Sequence, residues 1–348
     1  MLFYLLLIFM WILFAGNTGN ADYDNYMIYY QYYGIHIFDG SWIPDLEKGF
    51  GLMLQIANFI GLSYNQFLGV YSFIGLTLIG NTIIKYAKFR FMPLFLYFLY
   101  QYFLDVVQIR NFMLLSIFIF SIRYLVDWYS TNKKSSLIKY IVCIVVCIQF
   151  HIIGLLFLLA IFVRNIKNAK LLKMVTTVTL ILMAIRPLVF GVARVFFNDS
   201  RYGTYFNNTT TLSWIIFIIV YTFVDLLIIK NLNDRIQGDI EANTESRLFS
   251  GIVLKFNILL ILTIFLFSLS PDFVRIYRIV QVLNYVVLTL CIKPNRISLN
   301  PKNIILTSSF IMLYISSLYS FLWLQNLEGV VLPILSENLF FDLLKLYY

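Results

Sequence analysis

Charge is what this sequence has least of. Asp, Glu, Lys and Arg together make up 12% of 348 residues, and there are only two histidines. Soluble domains carry about a quarter of their residues charged, so an ordinary globular protein is excluded. Polar linkers are missing as well: no Gly/Ser-rich stretch, internal repeat or heptad seam divides the chain, which reads as a single domain over 1–348. Cysteine is nearly absent. Cys143, Cys147 and Cys291 all lie in apolar runs, and the CxxxC pair sets two thiols along one helix face without enough neighbouring ligands for a metal. The opening "MLFYLLLIFMWILFAG" lacks a basic leader and a small-x-small cleavage site, and reads as an uncleaved signal anchor.

Hydrocarbon takes the place of charge. The chain is 61% hydrophobic and 18% aromatic, with a mean hydropathy of +0.83. Several apolar runs are long enough to cross about 30 Å of lipid as helices, so the expected fold is an all-α polytopic membrane protein. The net charge of +9 does not point to nucleic acid, because the cations fall in short clusters between apolar runs. Those clusters are "KYAKFR" (85–90), "STNKKSSLIK" (130–139), "RNIKNAKLLK" (164–173), "KNLNDR" (230–235) and "KPNRISLNPK" (293–302), all expected inside. The Lys/Arg-poor stretches 17–48, 198–212, 271–275 and 327–348 then lie outside.

This alternation predicts about ten transmembrane helices, near 1–16, 49–84, 91–107, 110–129, 174–197, 213–230, 250–270, 276–292 and 304–326, plus a special segment at 138–163. Segment 49–84 is longer than one helix needs and "GLSYNQF" (61–67) interrupts it, so a half-helix at 49–60 should precede the true span. Segment 138–163 has a basic cluster at both ends. A re-entrant helical hairpin with "QFHIIG" (149–154) at its tip satisfies both clusters, and a plain span with one misplaced cluster is the alternative.

Some cations remain outside the clusters, and they are mostly arginine: Arg110, Arg186, Arg194, Arg201, Arg275 and Arg278. A charge at membrane depth costs roughly 2.5–3.5 kcal/mol on insertion scales, which argues for a polar cavity on the outer side. The first loop supplies Asp22, Asp24, Asp39, Asp45 and Glu47 on the same side. Arginine's planar fork suits phosphate. In "DVVQIRNFML" (105–114), Gln108 and Asn111 share a helix turn with Arg110, and Asp105 lies one or two turns deeper. Each of these has a plainer reading. Arg110 could snorkel to an interface, Arg275 and Arg278 could cap an ordinary span, His151 could be a packing histidine, and the loop tyrosines could form an interfacial belt rather than a sugar-stacking surface.

The stretches "GNADYDNY" (19–26), "EKGFGLMLQIANFIGLSYNQF" (47–67), "QIRNFML" (108–114), "FHIIGLLFL" (150–158), "SRYGTYF" (200–206) and "FVRIYRIV" (273–280) together resemble the EpsG family over about 17–285. These are exopolysaccharide polymerases related in role to the Wzy-type O-antigen and capsule polymerases. The resemblance places the family's outer-loop Asp and Tyr on Asp22, Tyr23 and Tyr26, its Glu on Glu47, its Gln-x-Arg on Gln108 and Arg110, and its Phe-His on Phe150 and His151. The chain departs from the family at Lys48 (usually Pro), Asn111 (often Gln) and Ile152–Ile153 (usually small).

The resemblance implies a glycosyltransferase that joins polyprenyl-pyrophosphate-linked oligosaccharide repeat units at the outer face of a bacterial inner membrane. It has no cofactor and no obligate metal. Its partners are the lipid-linked substrate, the bilayer and a candidate chain-length regulator, with no nucleic acid. Arg110, His151 and Asp22 are the catalytic candidates. Gln108, Asn111, Arg275, Arg278, Tyr26, Glu47, Arg201 and Tyr202 are the substrate-binding ones. A lipid-linked sugar transporter (flippase) and a membrane acyltransferase that decorates the polymer are the competing readings.

Overall fold

The computed structural model describes residues 1–44, 46–197, 210–292, 301–324 and 326–345, with side chains for all of these except 193–197, 301–307, 321 and 343–345. The expected "SRYGTYF" loop with Arg201 and Tyr202, the residue Asp45 and most of the last basic cluster lie outside the described residues, as does the side chain of Arg194. The described chain is helical throughout. It has no strand, only an isolated bridge between Asn17 and Asn338.

Five described helical stretches are long and apolar enough to cross a membrane: Tyr64–Tyr86, Ile109–Thr131, Leu212–Gly238, Thr244–Leu269 and Pro271–Leu290. A sixth results if Asn168–Ala184 and Arg186–Val192, bent by 61°, are taken as one broken span. The protein is a multi-pass membrane protein, and the described residues do not confirm the expected ten spans. Apolar runs that composition alone counts as crossings are broken or short. Helix α1 (Leu2–Gly16) has 15 residues, whereas a crossing needs about 20. The run at 91–107 is divided at Tyr100 into Phe91–Leu99 and Gln101–Val107, of nine and seven residues.

Contacts gather the chain into two compact units. The first comprises Met1–Trp128, Asn132–Phe157 and Tyr314–Tyr348. In it, α1 lies along α4 (Tyr64–Tyr86), with the Trp11 indole N–H donating to the Gly69 carbonyl at 2.8 Å. Between them in sequence come α2 (Tyr23–Ile35) and α3 (Lys48–Phe59). The predicted half-helix is therefore α3, and the break after it ends in a capping box: Ser63 accepts from the Gln66 amide while the Gln66 side chain accepts from the Ser63 amide. Helices α5 (Phe91–Leu99) and α6 (Gln101–Val107) lead into α7 (Ile109–Thr131), which packs on α4 where Gly75 leaves room for the Phe112 ring.

The 138–163 segment turns back on itself. Helix α8 (Lys134–Ile148) ends at residues 149–151, and a 3-10 turn over Ile152–Leu158 returns along it. The Tyr140 hydroxyl donates to the Phe157 carbonyl at 2.7 Å, and Gly154 packs against Cys147 and Ile148. A straight span is thereby ruled out for these residues. Cys147 is buried with its thiol at the Leu114 carbonyl, as a packing residue would be.

The second unit comprises Tyr129–Thr131 and Leu158–Leu313. A short helix, α9 (Leu159–Phe162), is followed by α10 (Asn168–Ala184) and α11 (Arg186–Phe197). The bend between the last two sits just before Pro187, whose ring and missing N–H disfavour a continuous helix. Its other helices are α12 (Leu212–Gly238), α13 (Thr244–Leu259), α14 (Thr263–Leu269), α15 (Arg275–Leu290) and the start of α16 (Pro301–Leu318).

Candidate functional site

The Arg110 guanidinium lies amid apolar runs for a local reason. The helix of residues 101–131 is interrupted at Gln108 (φ −96°, ψ 62°), so Arg110 sits in the first turn of α7 rather than mid-helix. Its partners come from far upstream. Arg110 Nη1 forms an ion pair with Glu47, and its Nε donates to the Tyr26 hydroxyl at 3.4 Å. The Arg110 and Glu47 side chains are only 9% and 16% exposed. An isolated charge at that depth would be costly, and a carboxylate against it removes most of the penalty.

Glu47 reaches this position as the residue before α3, in extended conformation (φ −61°, ψ 129°) at the end of the first loop. Just after it, Gly49 lies against Gln149 at the hairpin tip, where a Cβ would overlap the Gln149 side chain and stand 2.8 Å from its carbonyl oxygen. The Phe50 amide donates to that same carbonyl at 3.2 Å. Aromatic rings complete the frame. Tyr26 stands edge-on to Phe50, Phe50 meets Tyr71, and Tyr71 meets both Phe112 and Phe150. Tyr71 is fully buried, and its hydroxyl donates to the Ile109 carbonyl at 3.1 Å. The structure thus assembles Tyr26, Glu47, Arg110 and the Phe150–His151 tip, four elements the sequence separates by up to 125 residues (26 to 151).

The remaining candidates are placed as follows. His151 is buried, and its Nδ1 accepts from the Ile153 amide at 3.3 Å. That bond puts the ring proton of the neutral imidazole on Nε2, as a donor. Asp22 is half-buried at the start of α2, one turn before Tyr26, where its side chain accepts from Asn25 and its carbonyl from the Tyr26 amide. Gln108 occupies the break itself. Asn111 is 1% exposed, and neither its amide nitrogen nor its oxygen has a hydrogen-bond partner among the described residues. The carboxylate set against Arg110 is Glu47, whereas Asp105, expected to anchor the guanidinium, accepts from the Tyr97 hydroxyl at 2.9 Å. Farther along the first loop, the Ser41 amide and then His36 hold the Asp39 carboxyl below the usual carboxylate range.

Arg275 and Arg278 belong to the second unit. Arg275 pairs with Asp272 at 3.0 Å, while Arg278 is 3% exposed. Arg186, at the α10–α11 bend, donates to the Ser268 carbonyl at 2.7 Å. This unit also contains a polar cluster that sequence reasoning missed. Asn284 donates to Asp225 at 2.8 Å and exchanges hydrogen bonds with Asn257 at 2.8 and 3.0 Å. All three are buried, one each on α15, α12 and α13, near the middles of their spans. The signal was available, since each is a polar residue set in an apolar run ("FVDLLII", "FNILL", "VLNYVV").

No curated protein and no solved structure matches the chain. The model of the EpsG family matches residues 1–333, nearly the whole length, and so includes every candidate residue above. A multi-pass helical membrane protein that matches over this extent belongs to the EpsG family.

Proposed function

We propose that the chain polymerises polyprenyl-pyrophosphate-linked oligosaccharide repeat units into exopolysaccharide, of the capsule or O-antigen kind, at the outer face of the bacterial inner membrane. The observation that carries this reading is the buried Arg110, at the end of a membrane-spanning helix and joined there by Tyr26 and Glu47 from the first loop. The donor's leaving group, a lipid pyrophosphate, is already good, so the protein's task is orientation and charge stabilisation. An acceptor sugar hydroxyl attacks the anomeric carbon of the donor, and the guanidinium stabilises the negative charge that develops on the departing phosphate. Gln108, Asn111 and the first-loop tyrosines supply hydrogen bonds and stacking for sugars, with Asp22 and His151 at the margins of the same cluster. Arg275 and Arg278 form a second anion-binding element within their own unit.

The test is the fate of lipid-linked repeats in a deletion strain. Single repeat units accumulating on the outer face support polymerisation. Accumulation on the inner face would mean a flippase, and polymer of normal length with altered substitution would mean an acyltransferase. Complementation with Arg110→Ala should restore the protein to the membrane but no polymer, and Arg110→Lys should be mostly inactive, because a point charge does not replace the fork.

A further inference from the structure

The Arg110 guanidinium already has an anion. Glu47 neutralises it, and the pair sits largely out of water. A pyrophosphate that needs Arg110 must therefore compete with Glu47. Glu47 can yield: it is the N-cap of α3, and rotation about its side-chain bonds moves the carboxylate while its carbonyl keeps the Gly51 amide. Resting on the polymerase reading above, we infer that Glu47 is the proton acceptor of the transfer and that substrate binding arms it by taking Arg110 away.

The argument is one of charge. Paired with Arg110, the Glu47 carboxylate is turned to a cation and is not free to take a proton from an acceptor hydroxyl. Once the pyrophosphate takes the guanidinium, the carboxylate has lost its cation and gained an anionic neighbour. Both changes favour its protonated form. The proton at hand is that of the acceptor hydroxyl. As the sugar oxygen bonds to the anomeric carbon, the bond from that carbon to the phosphate oxygen breaks, and its electron pair leaves with the lipid pyrophosphate. The hydroxyl proton passes to a Glu47 oxygen and then to water when Arg110 regains its partner. The His151 Nδ1 lone pair is already taken by the Ile153 amide, which leaves the Glu47 carboxylate as the acceptor beside Arg110.

The experiment separates binding from turnover. Glu47→Gln keeps the shape and one acceptor oxygen toward Arg110 but removes the charge. Purified full-length protein in nanodiscs is titrated with farnesyl pyrophosphate as the probe, and polymer is measured in membranes of the complemented deletion strain. The inference expects Glu47→Gln to bind the probe more tightly than wild type, since the competing anion is gone. Polymer formation should fall by about 100-fold or more, the scale of a general base, with Glu47→Asp in between. Wild-type polymer from Glu47→Gln would overturn the inference. So would loss of probe binding together with polymer, which would reduce Glu47 to a support for Arg110. If wild-type protein does not bind the probe and the deletion strain accumulates repeat units on the inner face, the polymerase reading and this inference fail together.

Discussion

Replacing Arg110 and Glu47 by methionine, singly and together, tests whether their pairing shapes the first unit. Each single change strands one charge. A fully buried pair that loses one partner costs about 3–5 kcal/mol, and an exposed pair is worth less than about 1 kcal/mol. With side chains 9% and 16% exposed, this pair lies nearer the buried limit, so about 2–3 kcal/mol is expected from either single substitution. The double variant should lose far less, because two methionines pack acceptably among Tyr26, Phe50 and Tyr71 and no charge is left behind. The coupling energy is then about 2 kcal/mol. Unfolding in mixed micelles with increasing SDS, followed by fluorescence of the five tryptophans, gives all four stabilities. If the single costs add to the double within about 0.5 kcal/mol, the two residues act independently and the charge argument for the site is wrong.

Other outcomes follow from particular contacts. Gly49→Ala should reduce polymer at normal membrane abundance, because its Cβ pushes on the hairpin tip, and adding Gln149→Gly should restore part of the activity. Asp225→Leu should destabilise by about 1–3 kcal/mol in the same unfolding assay, whereas Asp225→Asn, which keeps an acceptor for Asn284, should cost little. Arg275→Lys and Arg278→Lys should both shorten the polymer on gels; wild-type polymer from both would remove them from phosphate recognition. The Asp39 carboxyl is held below its ordinary range, so its contacts with Ser41 and His36 stabilise the loop above that range and are lost as pH falls through the lowered value. Exchange of the Ser41 amide should accordingly speed up only in acid.

Much of the architecture was determined by the sequence alone, since lipid imposes strong rules on composition. Scarce charge and long apolar runs dictate spanning helices, because hydrocarbon leaves backbone groups no partner except one another. "GLSYNQF" carries its own capping chemistry, so the end of α3 and the start of α4 were legible in seven residues. Basic clusters at both ends of 138–163 favoured a reversal near "QFHIIG" over a plain span, and the chain turns at residues 149–151. The family resemblance likewise lay in short local strings. Hydropathy does not record where a helix breaks, however, and so the described residues hold fewer span-length helices than the sequence has apolar runs. Tyr100 interrupts an apolar run with no compositional signal as strong as its effect.

Only the tertiary structure decided which charges meet. Asp105 is five residues from Arg110 and Glu47 is sixty-three away, yet Glu47 is the carboxylate on the guanidinium. Local spacing favours the near neighbour, but the break at Gln108 places Arg110 at the start of a new helix while Asp105 turns to Tyr97. Gly49 shows the same dependence, being one more small residue until Gln149 is packed against it. The Asp225–Asn284–Asn257 cluster has no counterpart in any sequence window, because three separate helices each contribute one residue. Hydrophobicity is a property of each segment, and the chain carries it openly. The pairing of buried charges depends on how helices pack, where the penalty for leaving a charge alone selects one partner from many.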